Sequence, residues 1–354
     1  NGLKIIIDAV FNHTGNDSKY FNEYGNYDTI GAFQGTKSPY YNWYKRKQNG
    51  EIEYWWGFKN LPVCNGNNPE WQKYIYGENG VIDKWFNLGI DGLRLDVADE
   101  LTDDFIENIR IAVKRNKPDG FILGEVWENA VTKEGYGKQR TYLLGKGLDS
   151  VMNYPFTNAI LKYVRFGNYK YLSKTIKEIL TQYPDEAKYA LMNSLSTHDI
   201  TRAITTLSGN GIQDNNYNLI WNIPYDRQWQ FRNDKLDEQT YNQGKQLLKI
   251  ATVIQYFLPG NPCIFYGDYY GIPHDHINPK KDLLDHMLKL RRKYVEGIRH
   301  DYIDDPDVIG WTYETGLAVI LTNSSGGKKR MYVGNKYKHM TDGKHTIEII
   351  DGYG

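Results

Sequence analysis

The chain has 354 residues, a length that suits one large α/β barrel of roughly 250 residues with a smaller domain attached. Its 43 basic and 43 acidic residues give a formal net charge of zero, and no long block of Lys and Arg provides the electrostatic footprint of a nucleic-acid-binding protein. No run of about 18 apolar residues is present, so we expect no membrane span. Composition therefore favours a globular α/β protein that acts on neither nucleic acid nor membranes.

Short apolar runs alternate with helical patterns along most of the chain. The predicted strands cover residues 3–10, 90–97, 121–127, 148–153, 190–197 and 263–266, and we expect the first of them to be buried. Helical spacing occurs at 69–88, at 102–115, twice within 155–183, at 240–258 and at about 281–295. Six βα units in succession predict a parallel sheet with its helices outside. We therefore expect an α/β fold, and a closed (β/α)8 TIM barrel rather than a doubly wound sheet.

Two segments depart from this alternation. Residues 11–68 are rich in Gly, Asn and Tyr and lack clear helices, and long irregular stretches in compact domains are usually functional. We predict that they form an insert over the mouth of the barrel, which would itself comprise 1–10 and 69–298. Residues 299–354 show period-two patterns separated by turns, which predict a small antiparallel β domain.

A carboxylate follows nearly every predicted strand, and we expect these groups to converge because the loops at the carboxyl ends of barrel strands open into one mouth. They are Asp8, Asp96, Glu125, Asp199 and Asp268. A single carboxylate at such a position is more often a helix cap. Several on one face repel each other, so one must hold a proton while another stays ionised.

That division of labour suits glycosidic cleavage, in which an acid protonates the leaving oxygen and a carboxylate attacks or stabilises an oxocarbenium ion. Arg94 lies two residues before Asp96 on the same predicted strand. It should therefore point to the same side of the sheet and hold the Asp96 carboxylate ionised.

Four stretches resemble the short sequence regions of the α-amylase family of glycoside hydrolases. They are DAVFNH from Asp8, GLRLDVADE from Gly92, GEVW from Gly124 and STHD from Ser196. A fifth, LPVCN from Leu61, is similar to the motif near the end of that family's domain B. All five stand in the family's order and at family-like spacing, which makes a chance match very unlikely.

The resemblance implies a role for each matching residue. Asp96 would be the nucleophile that forms a β-glycosyl-enzyme intermediate, and Glu125 the general acid/base. Asp199 would bind ring hydroxyls and stabilise the distorted transition state. Arg94 would orient Asp96. Double displacement of this kind retains the anomeric configuration.

The resemblance also implies a substrate-binding set beyond the three carboxylates. His13 and His198 would donate hydrogen bonds to the sugar, with satisfied core histidines as the alternative. Trp127 would either stack on the leaving-group sugar or pack in the core, and Asp8 belongs to the set at the first strand end. The chemistry requires no cofactor. Calcium is left open as a structural ion, with Asn12 as its candidate ligand.

The branch of the family is mixed. Residues 55–262 look like neopullulanases and cyclomaltodextrinases, whereas 266–273 and 300–302 look like bacterial liquefying α-amylases. We expect a retaining hydrolase of α-1,4-glucosidic bonds in starch, maltodextrins or related α-glucans. The alternatives are a glucanotransferase with the same site and an inactive fragment. The resemblance begins at the third strand of the family's barrel, so we expect the first two βα units to be missing and 11–68 to be the domain B-like insert.

Two further residue types leave alternatives open. Aromatic residues make up 14% of the chain, and the clusters at 40–44 and 54–58 would form platforms for sugar rings, a lid, or loops packed on their own rings. For Cys64 and Cys263 we favour two buried free thiols over a disulfide, which slightly favours a reducing compartment. Oligomeric state is left open.

Overall fold

The computed structural model describes residues 2–209 and 236–268 and five short strands between 303 and 348. The chain divides into two compact units, Asn1–Met152 and Asn153–Gly354. The helix predicted at about 281–295 lies outside the described residues.

Four parallel strands form the sheet of the first unit: β1 (Ile6–Ala9), β2 (Gly92–Leu95), β3 (Phe121–Gly124) and β6 (Ser150–Val151). Their order in the sheet is β1-β2-β3-β6. The register sets Asp8 opposite Arg94 and Leu95 opposite Gly124. Because the strands are parallel, the residues that follow them leave the sheet at one edge, as the alternation of strands and helices predicted.

A hairpin that the sequence did not predict lies between β3 and β6. Its strands are β4 (Glu134–Gly135) and β5 (Lys138–Gln139), joined by Tyr136 and Gly137. Both turn residues have positive φ, 55° and 75°, which is the geometry of the favoured two-residue hairpin turn. The pattern was missed because each strand has only two residues.

The prediction that the first strand is buried is wrong. Ile5 and Ile6 are 56% and 44% exposed, and only Ala9 of β1 is buried. β2 pairs with one edge of β1, and among the described strands no other pairs with it. The apolar run therefore belongs to an edge strand.

The predicted helix at 69–88 is two helices, α1 (Pro69–Tyr76) and α2 (Val81–Asn87). Asn68 caps α1 by accepting the Trp71 N–H at 2.9 Å. The break falls at Gly77, whose backbone is extended and where a Cβ atom would lie 2.5 Å from the Lys73 carbonyl oxygen. The next helix, α3 (Asp103–Asn116), is the one predicted at 102–115, with Thr102 as its N-cap.

The stretch 11–68 contains three short 3₁₀ helices, Ala32–Gln34, Tyr41–Trp43 and Trp55–Gly57, and no α-helix. Its two aromatic clusters differ. In the first, Trp43 is buried and its ring centre lies 4.9 Å from that of Tyr40 and 5.3 Å from that of Tyr20, so this loop packs on its own rings. The second cluster holds Trp56 in solvent at 66% exposure. The boundaries of the insert stay a prediction.

The second unit contains five described helices and a parallel strand pair. The helices are α4 (Tyr154–Phe166), α5 (Tyr169–Gln182), α6 (Asp185–Ala190), α7 (Ala203–Ser208) and α8 (Glu238–Phe257). The strands are β7 (Met192–Ser194) and β8 (Asn261–Cys263). The strand predicted at 263–266 is displaced toward the N-terminus, because pairing with β7 begins where the Asn261 N–H meets the Leu191 carbonyl at 2.6 Å.

The strands described after residue 300 pair antiparallel, as predicted for this part of the chain. They are β9 (Ile303–Asp305), β10 (Val308–Thr312), β11 (Ala318–Thr322), β12 (His339–Thr341) and β13 (Thr346–Glu348). β10 lies between β9 and β11, and β12 pairs with β13. The limits of a separate domain at 299–354 stay a prediction. In the part of the chain that the structure covers, no helix is both long and apolar enough to cross a membrane.

Both cysteines are free thiols, as predicted. Cys64 is buried, but Cys263 is only half-buried, so the expectation of two buried thiols holds for the first alone. Burial raises the pKa of the Cys263 thiol to about 11, and the neighbouring Asp268 carboxylate acts in the same direction. Both effects leave the less reactive, protonated thiol.

Candidate active site

The Arg94 side chain joins three carboxylates at the carboxyl edge of the first sheet. Its Nη1 donates to Asp8 Oδ1 at 2.8 Å and to Asp96 Oδ1 at 2.6 Å. Its Nη2 lies 2.9 Å from Glu125 Oε2 as an ion pair without hydrogen-bond alignment. The three acids come from the ends of three neighbouring strands. The predicted contact between Arg94 and Asp96 is present, and the structure adds the other two.

Burial and charge oppose each other at Arg94, whose side chain is 10% exposed. Burial alone lowers the pKa of the guanidinium, but Glu125, Asp8 and Asp96 together outweigh it and raise the pKa above its ordinary value. Arg94 is therefore a permanent cation facing three acids. Around it the side chains differ in access to solvent: Asp8 is 53%, Asp96 18% and Glu125 5% exposed.

Glu125 has further fixed donors. Its Oε2 accepts the Val97 backbone N–H at 2.7 Å, and its Oε1 accepts the Trp127 indole N–H at 3.1 Å. Val97 presents that N–H from a left-handed backbone with φ 39°, an uncommon conformation for a β-branched residue. Trp127 is half-buried and bonds directly to Glu125, so it is not a fully buried core residue, and its stacking on the leaving-group sugar stays a prediction.

His13 lies in the insert and is electrostatically coupled to Asp96. Burial lowers the pKa of the imidazole and the Asp96 carboxylate opposes that shift, so the ring is neutral at pH 7. Its Nδ1 lies 3.3 Å from the Asn12 amide nitrogen, and its ring stacks on Trp55 at 5.3 Å between centroids.

Asn12 is buried, and its carbonyl accepts the Cys64 N–H at 2.8 Å. Hard cations such as Ca²⁺ prefer several carboxylate and carbonyl oxygens. Within the described residues, no group of three or more Asp, Glu, His or Cys side chains could hold a metal. The side-chain amide nitrogen of Asn12 is directed at His13. A structural calcium ion with Asn12 as its ligand stays a prediction.

His198 and Asp199 follow β7 in the second unit. His198 Nε2 lies 3.2 Å from Asp199 Oδ2, and the Asp199 N–H bonds to Thr197 Oγ1 at 3.2 Å. The His198 side chain is 59% exposed, so it is not a core histidine. Both predicted site residues are therefore available to solvent at a strand end.

Asp268 is one of the predicted strand-end carboxylates, and its partners were not predicted from the sequence. Ser196 Oγ donates to Asp268 Oδ1 at 2.8 Å, and the Arg202 guanidinium lies 3.8 Å from the same oxygen. Arg202 also donates to the Tyr266 carbonyl at 2.7 Å and lies over the Phe265 ring. The only signal in the sequence was Arg202, a charge three residues beyond Asp199 in an otherwise apolar helix start.

Replacing Asp268 with Asn should remove a pH-dependent loss of stability. Burial raises the pKa of Asp268 to about 7, although Ser196 and Arg202 act to lower it. In the unfolded chain the pKa of an Asp side chain is about 3.9. Between about pH 3.9 and pH 7 the carboxyl is therefore protonated mainly in the folded state, and the free energy of unfolding falls as pH rises. We expect the melting temperature of the parent to fall from pH 5 to pH 8 relative to Asp268→Asn.

Circular dichroism melts at both pH values measure this effect. Glu186→Gln, which changes an exposed acid in the same unit, is the matched control and should keep the parent's pH profile. Parallel pH profiles for the parent and Asp268→Asn would contradict the prediction.

Comparison with known proteins fits this geometry. The family model "Alpha amylase, catalytic domain" matches residues 1–223. An amylopullulanase of Thermoanaerobacterium saccharolyticum is 30% identical over 99% of this chain and 30% of its own length. A cyclomaltodextrinase of a Bacillus species is 29% identical over 78% of this chain and 42% of its own length. The solved structure of a cyclomaltodextrinase superposes with a TM-score of 0.71 at 24% identity, covering 96% of this chain and 55% of that one.

The chain belongs to the α-amylase catalytic domain family, as its five motifs predicted. The structural likeness shows the TIM-barrel fold of that family, in agreement with the parallel order of β1, β2, β3 and β6. The chain spans less than half the length of either of these two relatives. Its own activity and substrates are therefore matters of proposal.

Proposed function

We propose that this protein is a retaining glycosidase that cleaves α-1,4-glucosidic bonds in starch-like glucans. One observation carries the proposal: Arg94 holds Asp96 and Glu125 on its two terminal nitrogens. Two carboxylates that share one guanidinium stay close together. That favours the short spacing of retaining enzymes over the wider spacing that admits a water between the groups.

The reaction would proceed in two displacements. Asp96 attacks the anomeric carbon while Glu125 gives its proton to the glycosidic oxygen, so the carbon–oxygen bond breaks and a β-linked glycosyl ester of Asp96 forms. Glu125, now ionised, then takes a proton from water. The resulting hydroxide attacks the same carbon and releases Asp96, so the sugar product has the α configuration. Glu125 keeps the proton taken from water and is again the acid.

The surroundings suit these two roles differently. Asp96 is partly exposed and paired with a permanent cation, which orients the carboxylate and leaves it accessible as a nucleophile. Glu125 is almost fully buried and is oriented by Trp127 and Val97, so its carboxyl group has a fixed direction. His13 is neutral and would donate a hydrogen bond to a sugar hydroxyl.

The roles of Asp199 and His198 follow from the family motif that contains them. We propose that both bind sugar hydroxyls, and that Asp199 stabilises the distorted ring. The Thr197 hydroxyl, which accepts the Asp199 N–H, supports a defined orientation of that strand end. The names of the relatives extend the substrate class to pullulan and cyclomaltodextrins.

The test is to digest soluble starch, pullulan and β-cyclodextrin in parallel with the full chain and with Asp96→Asn as the blank. Product sizes are measured by chromatography and the first-formed anomer by proton NMR. We expect shortened α-glucans with the α anomer released first. Products longer than a defined maltodextrin substrate would identify a glucanotransferase instead, and equal reducing ends from the parent and the blank would contradict the proposal.

A further inference from the structure

Trp55, Trp56 and Phe58 form what we call the aromatic ledge, a group of rings on the surface of the insert. Trp56 is 66% and Phe58 is 54% exposed, although side chains of this size ordinarily bury most of their area. The Trp55 ring centre lies 5.8 Å from that of Trp56 and 6.1 Å from that of Phe58, with interplanar angles of 39° and 33°. At these shallow angles neither neighbouring ring stands edge-on to Trp55.

The backbone fixes the rings in this position. Trp56 is in the left-handed region at φ 49° and Gly57 follows at φ 80°. Four backbone hydrogen bonds of 2.8 to 3.1 Å link Tyr54, Trp55, Gly57, Phe58 and Leu61. A left-handed backbone is unfavourable for tryptophan, and here it keeps a large apolar ring in water. Such strain persists where the surroundings over-determine it, and it is concentrated at ligand sites.

The ledge adjoins the acidic cluster through His13. The His13 ring stacks on Trp55 with 5.3 Å between centroids and an angle of 24°. The Asp96 carboxylate acts electrostatically on the same imidazole. His13 thus links the exposed rings to the cluster that contains Asp96.

We propose that the aromatic ledge is a platform for the glucose rings of an α-glucan on one side of the bond cleaved at Asp96. A pyranose has an apolar face of C–H groups and a rim of hydroxyls, so a flat aromatic face is complementary to it. The exposed Lys59 and Asn60 lie next to the ledge in sequence and supply polar groups for the hydroxyl rim. This inference rests on the proposed function and names residues that extend its site.

The test measures binding without turnover, in the full chain carrying Asp96→Asn. Maltoheptaose is titrated by calorimetry into this parent and into the same protein with Trp56→Gly. Glycine adopts φ 49° without strain, so we expect an unchanged or higher melting temperature together with a Kd about tenfold weaker, equivalent to about 1.4 kcal/mol. Phe58→Ala should weaken binding in the same direction, and cellohexaose, with its β links, should bind the parent less tightly than maltoheptaose.

Two controls make the result specific. Trp85, which is 45% exposed on α2, is the matched residue, and Trp85→Ala should leave the Kd unchanged. Tyr41→Ala probes a separate polar groove of about 630 Å³ that Tyr41, Arg46 and Glu53 line on the same unit. A weaker Kd for Tyr41→Ala with the parent Kd for Trp56→Gly would place the glucan in that groove and overturn the proposal.

Two other results would also overturn it. One is a lowered melting temperature with an unchanged Kd for Trp56→Gly, which would make the ring a packing residue. The other is an Asp96→Asn parent that does not bind maltoheptaose. Failure of hydrolysis is a different result, because the binding experiment does not depend on turnover.

Discussion

Glu125→Gln should lower kcat on maltoheptaose about a thousandfold, within the 10²- to 10⁴-fold range of general acid–base catalysis. Glutamine keeps the size of Glu125 and can still accept the Trp127 N–H, but it has no proton to give to the glycosidic oxygen. The loss should nearly disappear in the first step on α-maltosyl fluoride, because fluoride departs without protonation. Rapid quench measurement of fluoride release then separates the acid role of Glu125 from its packing role.

The second half of the reaction offers an independent readout. With the base absent, water attacks the Asp96 ester slowly, and added azide should restore turnover because it needs no deprotonation. The product should be α-maltosyl azide, since attack on a β-linked ester inverts it. Glu128→Gln, three residues along the chain and 56% exposed, should stay within about twofold of the parent's kcat. A parent-like rate for Glu125→Gln on maltoheptaose would mean that another group supplies the proton.

Arg94→Met should lower the free energy of unfolding of the first unit by about 3 to 5 kcal/mol at pH 8, the cost of leaving buried charges without their partner. Three carboxylates depend on this guanidinium, and Glu125 is 5% exposed, so water cannot replace the lost contacts there. Urea unfolding followed by circular dichroism at pH 8 measures the loss.

Arg94→Lys and Arg110→Met complete this experiment. Lysine keeps the charge but not the fork of donors, so it should recover only part of the stability. Arg110 pairs with Asp149 at 2.6 Å, but Lys114 remains 3.1 Å from that carboxylate, so Arg110→Met should cost about 1 kcal/mol. Equal decreases in the free energy of unfolding for Arg94→Met and Arg110→Met would contradict the prediction, because the contacts of Arg94 with its three carboxylates would then stabilise the fold no more than an ordinary ion pair does.

The strands that carry the site residues were predicted from the sequence more accurately than the helix limits and the burial of the first strand. The parallel order of the strands and the positions of Asp96, Glu125 and Arg94 at their ends followed from the alternation of apolar runs, which is a local pattern. The break at Gly77 was missed because helical periodicity continues on both sides of it. The exposure of β1 was missed because an apolar run has the same sequence in the centre of a sheet and at its edge.

What the sequence by itself determined was the family, the strand-end carboxylates and the pairing of Arg94 with Asp96, because all of these depend on residue types at short spacings. Only the tertiary structure decided that the same guanidinium also holds Asp8 and Glu125, 86 and 31 positions away in the chain. It likewise decided that His13 stacks on Trp55 and that Asp268 is buried beside Ser196. These contacts depend on the register between strands and on how the insert folds back, and the hydrophobic pattern of a single segment carries no information about either.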